Sequence, residues 1–132
     1  MKTLLAILLT LSLAVLCASA AAPKDPSVPK YNLATEGVYK GTVLEIRDRQ
    51  CPVSGGMGAH VIMKLADNNT IEVHIAPTRF VKSYEVVFSK GDQIEVTGSM
   101  VKFEGVDTIF AREIKRGNDT FMFRDKDGNP VW

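Results

Sequence analysis

Two histidines, a cysteine and a methionine lie close together in the sequence and have side chains that bind metal ions. His60 and His74 are the only histidines, and Cys51 and Met57 precede His60 in a glycine-rich stretch. Imidazole nitrogen combined with sulfur suits copper or zinc. One hypothesis is therefore a metal site formed by Cys51, Met57, His60 and His74. We favour the other interpretation, in which both histidines are polar residues on a solvent-exposed sheet face and the sulfur side chains cover one end of the fold.

The same residues do not form a recognisable catalytic motif. Cys51 and His60 are a possible thiol and imidazole pair, but a glycine-rich loop is poorly suited to hold them in a fixed geometry. Asp125 and Asp127 stand before Gly128 as in a calcium-binding loop, yet the terminal glutamate of such a loop is missing. We therefore expect no enzymatic activity, and no cofactor unless the copper or zinc site forms.

Two runs of alternating apolar and polar residues position the histidines. They cover residues 60–66 (HVIMKLA) and 70–76 (TIEVHIA), which predicts an antiparallel hairpin with its turn at residues 67–69. We predict that Leu65 lies opposite Ile71, because this register buries the apolar residues of both strands. The last asparagine of the turn then takes the left-handed conformation that this residue type tolerates.

In this register His60 and His74 are diagonal neighbours on the outer face, about 7 Å apart at the backbone. The predicted ligand-binding residues all lie on that face: His60, Ile62, Lys64, Glu72 and His74. The face carries no aromatic side chain on which nucleic-acid bases could stack. We therefore expect that nucleic acid is not the ligand.

Further elements follow the order of a known barrel. They are a first strand from residue 38 that bends at Gly41, a flexible loop at 51–59, a short helix at 77–87, and strands at 93–101 and 106–115. This succession predicts an all-β fold, a five-stranded OB-fold Greek-key barrel with a short helix between strands three and four. Residues 117–132 contain the turn signal Asp127-Gly128 and predict an extra C-terminal β-hairpin, with Trp132 against apolar surface.

Three segments carry a resemblance to a known family: residues 37–43 (GVYKGTV), 90–98 (KGDQIEVTG) and 111–115 (AREIK). They resemble the bacterial OB-fold family of small periplasmic proteins over roughly residues 36–116. The resemblance implies a periplasmic, non-enzymatic binding protein linked to stress or envelope functions.

The N-terminus has the order of a secretory signal. Lys2 is followed by an apolar run at residues 4–16 and by the small residues Ala18 and Ala20, which predicts a signal peptide at 1–20. The apolar run is too short to span a bilayer comfortably, so we expect no stable membrane span after cleavage and a periplasmic or secreted protein. A retained anchor and lipidation of Cys17 are the alternatives.

Composition limits the organisation and the partners of the mature chain. Residues 21–35 read as a flexible tether, 36–116 as the barrel and 117–132 as the hairpin extension, which makes one folded domain.

The chain has 16 basic and 15 acidic residues, and removal of Lys2 leaves 15 of each. This balance argues against nucleic acid and anionic membranes as partners. Cys51 is then the only cysteine, so the mature chain has no internal disulfide.

We expect a secreted or periplasmic OB-fold binding module without enzymatic activity. It would engage a small or extended ligand, or an envelope protein, through strands two and three and the 51–59 loop. One alternative is a copper- or zinc-binding protein that uses His60, His74 and sulfur from the loop. Another is an accessory domain whose tail hairpin docks on a larger envelope assembly.

Overall fold

The computed structural model describes residues 28–132. The predicted signal peptide and the tether up to residue 27 therefore lie outside the described residues. Six strands and one α-helix follow a single turn of 3-10 helix at Leu33–Thr35: β1 Glu36–Cys51, β2 Gly56–Leu65, β3 Thr70–Pro77, α1 Thr78–Ser83, β4 Gln93–Phe103, β5 Val106–Arg116 and β6 Asp119–Met122. Within the described part of the chain, no helix is both long and apolar enough to cross a membrane.

The strands form one sheet that closes on itself. Its order is β3-β2-β1-β4-β5-β6 with antiparallel neighbours, and a parallel pairing between β3 and β5 completes the ring. The predicted all-β OB-fold barrel with a helix between strands three and four is thus confirmed. Beyond the fifth strand, β6 pairs with β5, and the predicted turn at Asp127-Gly128 joins two short arms through the single bridge between Arg124 and Pro130.

Strand β1 belongs to both halves of the barrel, as the glycine in its middle predicted. Residues 36–42 pair with β4, whereas residues 41–51 pair with β2. A Cβ atom at Gly41 would lie 2.4 Å from the carbonyl oxygen of Lys64, so only glycine permits this close approach.

The barrel interior is filled by aliphatic side chains that alternate along the strands. Fully buried members include Val43, Val61, Met63, Val73, Val96, Ile109 and Ile114. Each such side chain contributes about 1.5–3 kcal/mol relative to leaving it exposed. The predicted inward-facing residues of β2 and β3 are in this core.

A second, smaller cluster lies on the outer side of the barrel. Cys51, Phe103 and Phe110 are its buried members, and Tyr31 and Val53 pack against them. Ile109 belongs to the barrel core and Phe110 to this outer cluster, so β5 is buried on both faces. The outer face of the neighbouring strands is therefore not a simple solvated surface.

The predicted register of the β2–β3 hairpin is wrong by two residues. Met63, and not Leu65, lies opposite Ile71, and a bulge separates the pairs of Ala59 and His60. An even shift leaves every side chain on its predicted face, so the same apolar residues are buried. Asn68 takes the left-handed conformation with φ 65°, whereas Asn69 was predicted to do so.

The loop and the helix are both shorter than predicted. Cys51 pairs with Gly56, so the connection between β1 and β2 is residues 52–55 rather than the predicted 51–59. Helix α1 ends at Ser83, and Glu85 follows with φ 54°. Tyr84 and Val87, which were predicted to lie in the helix, are 68% and 65% exposed and so do not pack against the barrel.

An ion pair ties the start of β1 to β5. Arg112 donates to both carboxylate oxygens of Glu36 at 2.8 and 2.9 Å, and Tyr31 donates to the same carboxylate. Both charged side chains are about four-fifths buried. The bonds from Arg112 hold the pKa of Glu36 below its usual range.

Gly98 generates a packing prediction. A Cβ atom at Gly98 would lie 2.5 Å from the Phe110 carbonyl oxygen and 2.7 Å from Ile109 Cγ2. We expect Gly98→Ala to lower the free energy of unfolding by about 2–3 kcal/mol, because backbone must move to make room. Urea denaturation measures this. Gly56→Ala is the control, since no atom lies within 4 Å of its Cβ position. An equal loss of unfolding free energy in both variants would show that the close packing at Gly98 is not the cause.

The Glu36 pair generates a pH prediction. A carboxyl group whose pKa is depressed in the folded state stabilises the protein above its unfolded pKa, and this stability is lost as the pH falls through the folded pKa. We expect Glu36→Gln to lower the free energy of unfolding by about 2 kcal/mol at pH 7. The difference from the unaltered protein should shrink in acid, below the usual glutamate pKa. A difference that is the same at pH 7 and in acid would show that the ion pair is not its cause.

Candidate functional site

The two histidines form a buried pair at the centre of the site. His60 and His74 lie directly opposite each other on β2 and β3, and their ring centroids are 4.7 Å apart in an edge-to-face arrangement. They lie on the face opposite to Val61 and Val73, as predicted. Both are fully buried, however, so the prediction of a solvent-exposed face is wrong. They are also direct partners and not diagonal neighbours, because the register of the hairpin differs by two residues from the predicted one.

Cys51 completes a cluster of three potential metal ligands. One ligand atom from each of Cys51, His60 and His74 lies within 4.8 Å of the other two, and all three residues are buried. The site depends on Gly58, where a Cβ atom would lie 3.0 Å from both Cys51 Cβ and His60 Nε2. The neighbouring Met57 is 43% exposed and, by strand alternation, points away from the cluster. Three of the four predicted metal ligands are therefore brought together, and Met57 is not.

Each imidazole has one nitrogen engaged by an oxygen and one without a partner. His60 Nδ1 lies 2.7 Å from Glu72 Oε1, and His74 Nε2 lies 3.0 Å from Ser54 Oγ. A carboxylate only accepts, so Nδ1 of His60 carries the proton and its Nε2 holds a lone pair. His60 Nε2 and His74 Nδ1 are buried without a hydrogen-bond partner among residues 28–132. This is the pattern of histidines that ligate metals, where the second nitrogen is oriented by an oxygen.

Electrostatics keep both rings neutral. Burial lowers the pKa of His60, and the nearby Glu72 carboxylate opposes this only in part. Burial also lowers the pKa of His74 to about 3, and the neighbouring His60, Arg124 and Arg49 act in the same direction. Neutral imidazole is the form that binds metal ions.

The remaining predicted ligand residues separate into two groups. Glu72 belongs to the site, where it accepts from His60 and from Arg49, and Arg49 in turn contacts Glu104. Ile62 is half-buried opposite Glu72, whereas Lys64 is exposed at the far end of the hairpin opposite Thr70. Lys64 is therefore outside the cluster.

Sequence reasoning missed Arg49, Ser54 and Gly58. Arg49 orients Glu72 from β1, at distances of 2.9 and 3.0 Å from its carboxylate. Ser54 is 6% exposed and reaches His74 from the short loop between β1 and β2. A signal for Gly58 was present, because a glycine within a strand marks close approach of another group.

The cluster is covered from outside by a loop and an aromatic ring. Phe110 packs on His74 with ring centroids 5.3 Å apart, and Phe103 packs on Phe110. Cys51 is 2% exposed beneath the loop at residues 52–55. A molecule larger than an ion cannot reach the donor atoms without movement of this cover.

The fold and the cluster together define a small OB-type barrel with a buried Cys-His-His donor set on its outer face. The MamS/MamX magnetosome protein family matches residues 35–121, which is most of the chain and includes all three donors. The chain belongs to this family. The predicted resemblance to the bacterial OB-fold family is therefore wrong. No curated protein matches the chain.

Proposed function

We propose that this chain is a non-enzymatic metal-binding protein of the MamS/MamX family that holds one zinc or copper ion at Cys51, His60 and His74. The observation that carries the proposal is the convergence of three buried donor atoms with an unpartnered ring nitrogen on each histidine. The site lies on the strand 2–3 face that we expected to bind a ligand.

Burial of unpartnered ring nitrogens supports a ligand at this position. A buried polar atom without a hydrogen bond costs about 1–3 kcal/mol, and His60 and His74 each contain one. A metal ion would accept the lone pair of each ring and remove this cost. A solvated pair of surface histidines, the interpretation favoured from the sequence, does not agree with side chains that are fully buried.

The donor set favours a borderline or soft transition metal. Two imidazoles and one thiolate suit zinc and copper, whereas calcium and magnesium prefer oxygen. Zinc bonds to nitrogen at about 2.0–2.1 Å and to sulfur at about 2.3 Å, so the donor atoms would draw closer together on binding than their present separation of up to 4.8 Å. The thiol of Cys51 would lose its proton to bind the ion.

The surroundings support binding rather than catalysis. The donors are buried under residues 52–55 and Phe110, which leaves no approach for an organic substrate. Gly55 has φ 66° and no neighbour within 4 Å of its Cβ position, so the loop has room to open for a small ion. We also propose an exported location associated with the magnetosome, which the family and the signal-like N-terminus support.

The third function considered, an accessory domain that docks through its tail, stays a prediction. The tail is part of the fold, because β6 pairs with β5, and Phe123 is 1% exposed. Exposed apolar side chains of Tyr84, Met122 and Val131 border a groove between the tail and α1. This groove is the surface such docking would use.

Metal titration tests the proposed function. We expect cobalt(II) to bind one ion per chain and to produce thiolate-to-cobalt charge-transfer absorption, and zinc to remove this absorption by displacement. Cys51→Ser should abolish the absorption and weaken zinc binding at least about tenfold, because the only sulfur donor in the cluster is lost. Optical titration and calorimetry measure the two effects.

Met57→Leu is the matched control for the titration. It removes the sulfur atom of a residue that lies six positions after Cys51 and points out of the cluster. The cobalt absorption and the zinc affinity should therefore be unchanged. A chain that binds neither cobalt nor zinc, or whose zinc affinity is the same after Cys51→Ser, would refute the proposed site.

Glu72 provides a separate prediction because it orients a donor without binding the ion. We expect Glu72→Gln to weaken zinc binding about 10–100-fold, since the amide no longer fixes the protonated nitrogen of His60 as the carboxylate does. Glu113→Gln is the control. The side chain of Glu113 is 19% exposed and that of Glu72 is 17% exposed, but Glu113 contacts Lys115 and not a histidine. Equal affinity in the two variants would show that Glu72 does not support the site.

A further inference from the structure

Arg124 in the C-terminal segment is a buried ionisable group without a charged partner in the described part of the chain. Arg124 is 5% exposed, and the structure shows no carboxylate within ion-pair distance of it among residues 28–132. Its terminal Nη1 donates to the carbonyl oxygen of Gly128 at 2.9 Å, while its Nε has no hydrogen-bond partner in the same part of the chain. Arginine stays protonated in proteins, so a positive charge is buried here with few hydrogen bonds.

Aromatic rings surround the guanidinium but do not neutralise it. The Arg124 Cζ atom lies 5.0 Å from the ring centroid of Trp132, 5.2 Å from that of Tyr31 and 6.0 Å from that of Phe110. Cation–π attraction offsets only part of the cost of removing a charge from water. Burial accordingly lowers the pKa of Arg124, with only the nearby Tyr31 acting in the opposite direction.

The guanidinium borders a cavity of about 400 Å³. This volume lies within the range of about 300–1,000 Å³ that small-molecule sites occupy. Its walls are mostly apolar or aromatic, with Tyr31, Val53, Pro130 and Trp132 among them. Lys30 adds a second positive charge at the rim.

The acidic residues near the cavity have other partners. Asp127 lines the cavity, but its carboxylate is 2.9 Å from Lys126 Nζ and its side chain is 59% exposed. Asp125 accepts from Asn129 and from the backbone of residue 127. The charge of Arg124 is therefore left for a ligand that enters the cavity.

We propose that this cavity is a binding site for a small organic carboxylate, whose negative group pairs with Arg124 and whose apolar body packs between Tyr31, Trp132 and Val53. A carboxylate matches the planar donor geometry of a guanidinium, and the apolar walls favour a hydrocarbon body over a bare inorganic ion. The site shares none of the three donor residues with the metal cluster, but Phe110 and the loop at residues 52–55 border both.

Trp132 makes the test direct, because it is the only tryptophan in the chain and it lines the cavity. Metal-free protein would be titrated with cyclohexanecarboxylate, with its uncharged amide and with inorganic phosphate. We expect the carboxylate to change Trp132 fluorescence saturably with one site per chain, and to bind at least about tenfold more tightly than either of the other two.

Two charge-reversal variants locate the site without disturbing the buried arginine. Lys30→Glu should weaken carboxylate binding about three- to tenfold, because it places a negative charge at the rim. Lys90→Glu makes the same change of net charge at an exposed position away from the cavity and should leave the affinity unchanged. Arg124→Gln should abolish binding if circular dichroism shows that the variant folds.

Three results with the unaltered protein would overturn the proposal, and none of them requires the Arg124 variant. They are no saturable response of the unaltered protein at tens of millimolar carboxylate, equal binding of the acid and its amide, and tighter binding of phosphate than of the carboxylate. Equal weakening by Lys30→Glu and Lys90→Glu would also overturn it, because a general charge effect would then explain the binding.

Discussion

The parallel pairing of β3 with β5 is the contact on which the rest of the structure depends. It consists of three residue pairs, Glu72 with Thr108, Val73 with Ile109 and His74 with Phe110. The middle pair closes the aliphatic core, and the last pair places an aromatic ring beside His74 on the opposite face. This short pairing therefore closes the barrel and also places Phe110 over His74.

Burial on both faces of these strands explains why ionisable groups occur inside the protein. The outer face of a small barrel is normally solvated, and polar residues there need no partners. Here residues 52–55, Phe110 and the C-terminal segment form a second layer, so every polar atom beneath them must be satisfied within the protein or by a ligand. Glu72 and Ser54 satisfy one nitrogen of each histidine, and the other nitrogens remain. The same reasoning applies to Arg124, whose aromatic neighbours carry no negative charge.

The sequence predicts which face of a strand a residue occupies better than it predicts what covers that face. Alternation placed His60 and His74 together on the outer side, but their burial depends on Phe110 and on the loop that carries Ser54, which no local pattern connects to them. The two-residue register error was invisible to hydrophobic patterning, because an even shift keeps all faces unchanged. Met57 was assigned to the site because it is near Cys51 in sequence, yet pairing of β1 with β2 continues to Gly56 and turns its side chain away. The segments thought to indicate another family encode strands and turns common to OB barrels.

The two proposed sites differ in how much of the chain must fold before their residues come together. Cys51, His60 and His74 lie on consecutive hairpins, so bringing them together closes only short loops and costs little chain entropy. The Arg124 cavity requires Tyr31, from before the first strand, to meet Trp132 at the opposite end of the described chain. The thiol and imidazoles can thus assemble in a partly folded protein, whereas the tryptophan-lined cavity forms only when the whole barrel is complete.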